Sequence, residues 1–175
     1  MNKIFFTFIT VVFNSILIAT ITAEDVPSKV NMGAAVASLE KTIELYAEGR
    51  YSEAMFQAEL GAGYAPKIAD FPYLKALCAN LLAEPQIYCL SYLNPAFASD
   101  MAWYRYGIED ARLLAATLNL KLKRYDEALR LVNSISFEVS DASLIKAASL
   151  YGLSRQREAE NVILSSLDRH SFDPR

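Results

Sequence analysis

An all-α fold is the class this sequence predicts, and three observations carry the prediction. Strand signatures are missing: there is no long alternation of Val, Ile and Thr, and no Asn-Gly or Asp-Gly turn. Ala and Leu, both strong helix formers, dominate from Asn31 onward. Apolar residues there recur at three- and four-residue steps, and the pattern breaks roughly every dozen residues, which describes short antiparallel helix pairs.

The elements follow in order. Val36, Leu39, Ile43 and Tyr46 make one apolar face of a first helix, which Gly49-Arg50 ends. Tyr51 to about Gly61 resumes the pattern with Tyr51, Ala54, Met55 and Ala58, and Pro66 prevents simple continuation. A third helix covers Phe71–Ala83, with Leu74, Leu77, Cys78, Leu81 and Leu82 as its apolar residues. Glu84-Pro85 opens a short fourth helix, because proline is tolerated in a first turn, and Asn94-Pro95 stops it after Leu93. Ser99 is read as the cap of a helix starting near Asp100, with Gly107 dividing it from a helix over Glu109–Leu122. Lys123-Arg124 forms the next turn. Tyr125–Ser134, Ala142–Tyr151 and Arg155–Asp168 complete the helices, with 171–175 as a frayed tail.

Composition narrows the function classes. Of 175 residues, 53% are hydrophobic and 21% charged, so a disordered chain is excluded. Two cysteines are too few for a disulfide scaffold or a four-cysteine zinc site, and a single histidine, His170, excludes histidine-rich chemistry. A formal charge of −3 argues against nucleic acid as a partner. Charge is uneven, at −5 over residues 24–100 and +1 over 101–175. There is no phosphate-binding glycine loop, no Gly-x-Ser-x-Gly elbow and no His-Glu-x-x-His. These absences point away from an enzyme and imply no cofactor and no metal.

Residues 1–23 read as a signal peptide. Lys3 is followed by an apolar run over Ile4–Ile18, and small and polar residues lead to Ala23 before Glu24-Asp25. Cleavage after Ala23 leaves 152 residues, enough to bury a core without staples. The alternative is an uncleaved anchor over residues 4–23, the only membrane contact the sequence suggests. The mature protein is therefore expected in the periplasm or secreted, with 24–34 as a linker and 35–170 as the helical domain.

Three segments share a spelling: Gly49-Arg50-Tyr51-Ser52-Glu53-Ala54, Lys123-Arg124-Tyr125-Asp126-Glu127-Ala128 and Arg155-Gln156-Arg157-Glu158-Ala159. A small residue early in the second helix lets two backbones approach, the Tyr covers the turn, and the Glu complements the helix dipole. Cys89 falls where the small residue belongs in a fourth unit, after Pro85. This pattern resembles the tetratricopeptide repeat, whose period is about 34 residues. The resemblance implies a right-handed superhelical array of about four antiparallel helix pairs, near 35–65, 70–98, 109–138 and 140–170. The family's Trp and Leu-Gly signature is absent from all four. The 39 residues from Cys89 to Ala128 imply an insertion, placed at Ala96–Tyr106.

The resemblance also implies a partner surface. It puts Phe71, Leu74, Cys78 and Leu81 on the inner face, then Asp110, Leu113, Thr117 and Lys121, then Asp141, Leu144, Ala148 and Tyr151. On the first helix it places Ser38, Lys41, Thr42 and Leu45 inside the pair and leaves Val36, Leu39, Ile43 and Tyr46 for the groove. Trp103 and Tyr104 belong to the densest aromatic group, with Tyr88, Tyr92 and Tyr106, and either anchor an interface or fill space. Cys78 and Cys89 either form a disulfide, which export permits, or are buried free thiols.

The function expected is an exported scaffold that binds a protein partner in the cell envelope through a largely apolar concave surface. The alternative is a binding component for a small apolar ligand that feeds a transport or assembly complex, and a third reading is an exported enzyme such as a peptidoglycan hydrolase. The C-terminal repeat lacks a polar cap, which suggests self-association at that edge or a longer array.

Overall fold

The computed structural model describes residues 30–136 and 140–170. The signal-peptide and frayed-tail expectations fall on residues outside that description. Among the described residues eight α-helices form: α1 Met32–Ala47, α2 Tyr51–Tyr64, α3 Asp70–Leu81, α4 Gln86–Leu93, α5 Ile108–Lys121, α6 Tyr125–Asn133, α7 Ser140–Gly152 and α8 Gln156–His170. A 3-10 turn, Asn94–Phe97, follows α4. The fold is all-α, as predicted. Among the described residues the only β-type pairing is one isolated parallel bridge between Ile68 and Ala102.

Each helix packs on the next in the chain, and the pairs share one turn geometry. Gly49, Ala83, Lys123 and Ser154 end α1, α3, α5 and α7 in the left-handed region, at φ 77°, 59°, 59° and 61°. The following amide donates to the carbonyl five residues back in every case: Arg50 to Leu45 at 2.9 Å, Glu84 to Ala79 at 3.0 Å, Arg124 to Asn119 at 2.9 Å and Arg155 to Leu150 at 2.9 Å. Such a closure satisfies carbonyls that the helix end would otherwise leave unpaired. Five or six residues beyond each left-handed residue comes a buried small side chain: Ala54, Cys89, Ala128 and Ala159. The second unit therefore keeps the turn that its spelling conceals.

Tyr125 packs instead on the last turn of α7 in the following pair, where a Cβ on Gly152 would come within 2.6 Å of its ring. Arg50–Glu53 and Arg155–Glu158 pair across the start of the second helix, both at 2.6 Å. These exposed pairs contribute little stability.

One hydrophobic core runs from Ala35 and Leu39 in α1 through Leu74, Leu93 and Leu118 to Ile145 in α7. Smaller clusters join Leu45, Ala54 and Cys78, and join Leu129, Ala147, Leu150 and Ala159. In α1 the expected inward positions Ser38, Thr42 and Leu45 are buried, while Lys41 is exposed and pairs with Glu44. The two polar members are satisfied: Thr42 Oγ1 donates to the Ser38 carbonyl at 2.7 Å, and Gln57 donates to Ser38 Oγ at 3.0 Å. Leu39 from the opposite stripe is buried as well, so the two faces overlap.

The helix expected near Asp100 does not form. Residues 98–107 make an irregular strap held by Asp70, which lies at the start of α3 with 0% exposure. Asp70 Oδ2 accepts from the Tyr104 amide at 2.9 Å, and Oδ1 accepts from the amides of Arg105 at 2.8 Å and Tyr106 at 2.9 Å. Three amides converging on one carboxylate are incompatible with helical geometry, in which each would serve a carbonyl four residues back. The Ala102 amide donates to the Lys67 carbonyl, and the Ala69 amide to the Ala102 carbonyl, both at 2.8 Å. Arg105 pairs with Glu40 on α1. The strap therefore ties the first pair to the second.

Candidate functional site

The first helices of the last three pairs, α3, α5 and α7, line a groove of about 410 Å³. Tyr73, Leu77 and Asn80 come from α3; Asp110, Leu113, Leu114 and Thr117 from α5; Asp141, Leu144 and Ile145 from α7. Spacings of three and four residues put each set on one helix face. Leu144 is 63% exposed, so the groove opens to solvent along that wall. Apolar side chains with a few polar groups among them are what a recognition groove needs.

The groove has a definite polarity. Asp110 and Asp141 sit in the first turns of α5 and α7, where a carboxylate complements the helix dipole. Asp110 Oδ2 also accepts from the Gly107 amide at 2.8 Å and closes the start of α5. At the C-terminal end of α5, Lys121 Nζ donates to Asn80 Oδ1 at 2.7 Å. Thr117 lines the groove and donates its hydroxyl back to the Leu113 carbonyl at 2.9 Å. Burial, and the nearby charge of Asp110, push the Tyr73 phenol above its ordinary range, so it stays neutral.

Behind Tyr73 the strap adds aromatic support. The Tyr106 ring lies 4.9 Å from that of Tyr73, and the Trp103 ring meets it edge-on at 6.2 Å. Such pairs add about 0.5–1.5 kcal/mol beyond area burial. Trp103 is therefore half-buried packing, whereas Tyr104 is 53% exposed. Tyr92 takes the Lys75 ammonium over its ring at 4.8 Å, and Tyr88 is exposed. The aromatic group of the sequence is thus dispersed over separate surfaces.

Of the expected inner-face residues, Leu113, Thr117 and Leu144 line the groove, and Lys121 stands at its end. Leu81 and Tyr151 are exposed, Tyr151 at 68%. Phe71 and Leu74 are corrections: at 1% and 0% exposure they are core and present nothing to a partner. Phe71 occupies the space a Cβ would need on Gly61 of α2. On α3 the groove instead uses Tyr73, Leu77 and Asn80, which a transferred repeat register misses. α3 is buried on nearly every side, at Phe71, Tyr73, Leu74, Ala76, Cys78 and Ala79, so its apolar pattern carries no phase.

The cysteine alternatives also resolve. Cys78 and Cys89 are unbonded, both fully buried, and belong to different clusters. Burial pushes the Cys78 thiol up to about 11, and burial raises Cys89 too. Among the described residues, no group of three potential metal ligands comes together, and no helix is long and apolar enough to cross a membrane.

A second cleft, about 470 Å³, separates α4 from α6 over the floor of α5. Both of its guanidinium groups are already paired, Arg130 with Glu127 of the same cleft at 2.5 Å and Arg112 with Glu109, outside the lining, at 3.2 Å. On α8, Ile163, Leu164 and Leu167 are 45%, 58% and 60% exposed.

Comparison with known proteins adds one relative. A protein of Treponema pallidum (strain Nichols), described as uncharacterized, is 36% identical over 128 residues. The match takes in 73% of this chain and 16% of the relative, so the chain spans about a sixth of the length of the protein it matches. No family model matches the chain, and no solved structure does.

Proposed function

We propose that the protein is an exported, non-enzymatic scaffold, built as a tetratricopeptide-like superhelix, that binds a protein partner in the cell envelope through the groove of α3, α5 and α7. The observation that carries this reading is the groove itself: Leu144 stands in it exposed to solvent, beside the half-buried Leu113. An enclosed apolar cavity would have favoured a small ligand instead. Four turns of one geometry, each followed by a buried small residue, support the repeat architecture. Export rests on the sequence of residues 1–23. The same reading has a second copy meet the exposed Ile163, Leu164 and Leu167 of α8, which concentration-dependent sedimentation tests.

The test is crosslinked capture from the native cell envelope with the wild-type chain and a Leu113→Glu/Leu144→Glu variant. Leu144 is exposed and Leu113 only half-buried, so the variant is expected to keep its helical circular dichroism. A partner captured by wild type and lost from the folded variant supports the scaffold. Equal capture by both chains places binding elsewhere and overturns the groove.

A further inference from the structure

Ten residues line the groove of α3, α5 and α7; two are carboxylates and none is a cation. Lys121, at the C-terminal end of α5, is already bonded to Asn80 at 2.7 Å. Asp141 makes no hydrogen bond or ion pair among the described residues and is exposed. Asp110 commits Oδ2 to the Gly107 amide, which leaves Oδ1. Both acids belong to the first turns of their helices, so they stand at one end of the groove, while Leu77, Leu113 and Leu144 lie further along it.

This arrangement is asymmetric, and the asymmetry specifies an occupant. An apolar segment alone would cover the leucines but strip water from Asp141 without replacing it. Desolvating a carboxylate unpaired is costly. An acidic segment would add repulsion. A segment carrying an ammonium or guanidinium at one end would bury its apolar side chains on the leucines and offset Asp141 with an opposite charge. From the groove's charge and shape we infer that the partner segment is a polypeptide stretch of apolar residues led by a lysine, an arginine or a free amino terminus, bound with its cationic end at Asp110 and Asp141. The inference rests on the scaffold reading and adds to it the chemistry and direction of the bound segment.

The experiment uses the chain without residues 1–23 and three short fluorescent peptides with one shared Leu/Phe stretch. One begins with Lys, one with Gln and one with Glu, and each has an acetylated amino terminus. Anisotropy titrations are run on wild type, Asp141→Asn and Leu113→Glu. The expected result is tightest binding of the lysine peptide, weakened about two- to five-fold by Asp141→Asn and by raised salt. Asp141→Asn is expected to leave the glutamine peptide unchanged, and Leu113→Glu to weaken all three. Equal binding of all three peptides, still lost in Leu113→Glu, overturns the charge inference and leaves the groove standing. Binding of the lysine peptide that ignores both substitutions, or no binding of any peptide, overturns the inference and the groove together.

Discussion

Replacing Asp70 tests the strap and the logic of the fold together. Its carboxylate, at 0% exposure, receives three amides of the strap at 2.8–2.9 Å. Each hydrogen bond to a charged group contributes about 1.5–3 kcal/mol. Two effects reduce the sum: removing Asp70 abolishes the cost of burying a carboxylate with no cation bonded to it, and water reaches the amides of the exposed Tyr104 and Arg105. For Asp70→Ala the expected net loss is about 3 kcal/mol. Asp70→Asn retains one oxygen for Arg105 and Tyr106 but turns an amide group toward the Tyr104 N–H, donor against donor, and should lose about 2 kcal/mol. Urea denaturation followed by circular dichroism reads these losses, at a slope of about 1–3 kcal/mol per M. Trp103 is the only tryptophan in the chain and packs on Tyr73, so its emission reports the strap separately. The expected result is a red shift of Trp103 at low urea, before the helices melt. An unchanged midpoint with unchanged emission would refute the reasoning.

Further expectations follow from the same geometry. Gly61→Ala, which in an ordinary helix interior gains up to about 1 kcal/mol, should here destabilise by about 1–3 kcal/mol, because the new methyl overlaps the Phe71 ring; thermal melts give the sign. Lys123→Gly and Ser154→Gly should each stabilise by about 0.5–1 kcal/mol by relieving left-handed backbone at φ 59° and 61°, and a fall in the urea midpoint of either variant would contradict the turn geometry. Cys78, its thiol pushed up to about 11 against an ordinary 9.0, stays protonated longer in the folded chain than in the unfolded one. Its contribution is fully present below pH 9 and is lost as pH rises toward 11, so the midpoint should fall across that window and fall less in Cys78→Ala. The same burial should keep Cys78 and Cys89 unreactive to iodoacetamide at pH 8 until urea is added.

Helix pairing was the most legible feature of the chain, because its determinants are local. The Arg-Tyr-x-Glu-Ala spelling of two turns is enough to place Ala54 and Ala128 at helix–helix contacts, and both are fully buried. Spacing alone located Cys89, also fully buried. On α5 and α7 the groove was legible too, since Asp110, Leu113 and Thr117, and Asp141 and Leu144, all line it. Polar residues interrupt the apolar pattern of these two helices and mark which face is open. α3 offered no such mark.

What the sequence determined by itself is what near neighbours in the chain decide: the all-α class, the turns, the small contact residues and the polar-apolar alternation of α5 and α7. The tertiary structure decided what depends on residues far apart. Ser99-Asp100 has the local form of a helix start, yet Asp70, more than thirty residues away from Tyr104, Arg105 and Tyr106, claims their amides and holds the segment as a strap. Phe71 and Leu74 match the expected inner face by register, yet α2 lies over Phe71 and the core encloses Leu74. A buried carboxylate with three donors outweighs a weak local helix preference, and a helix enclosed on all sides takes its orientation from its neighbours rather than from its own hydrophobic stripe.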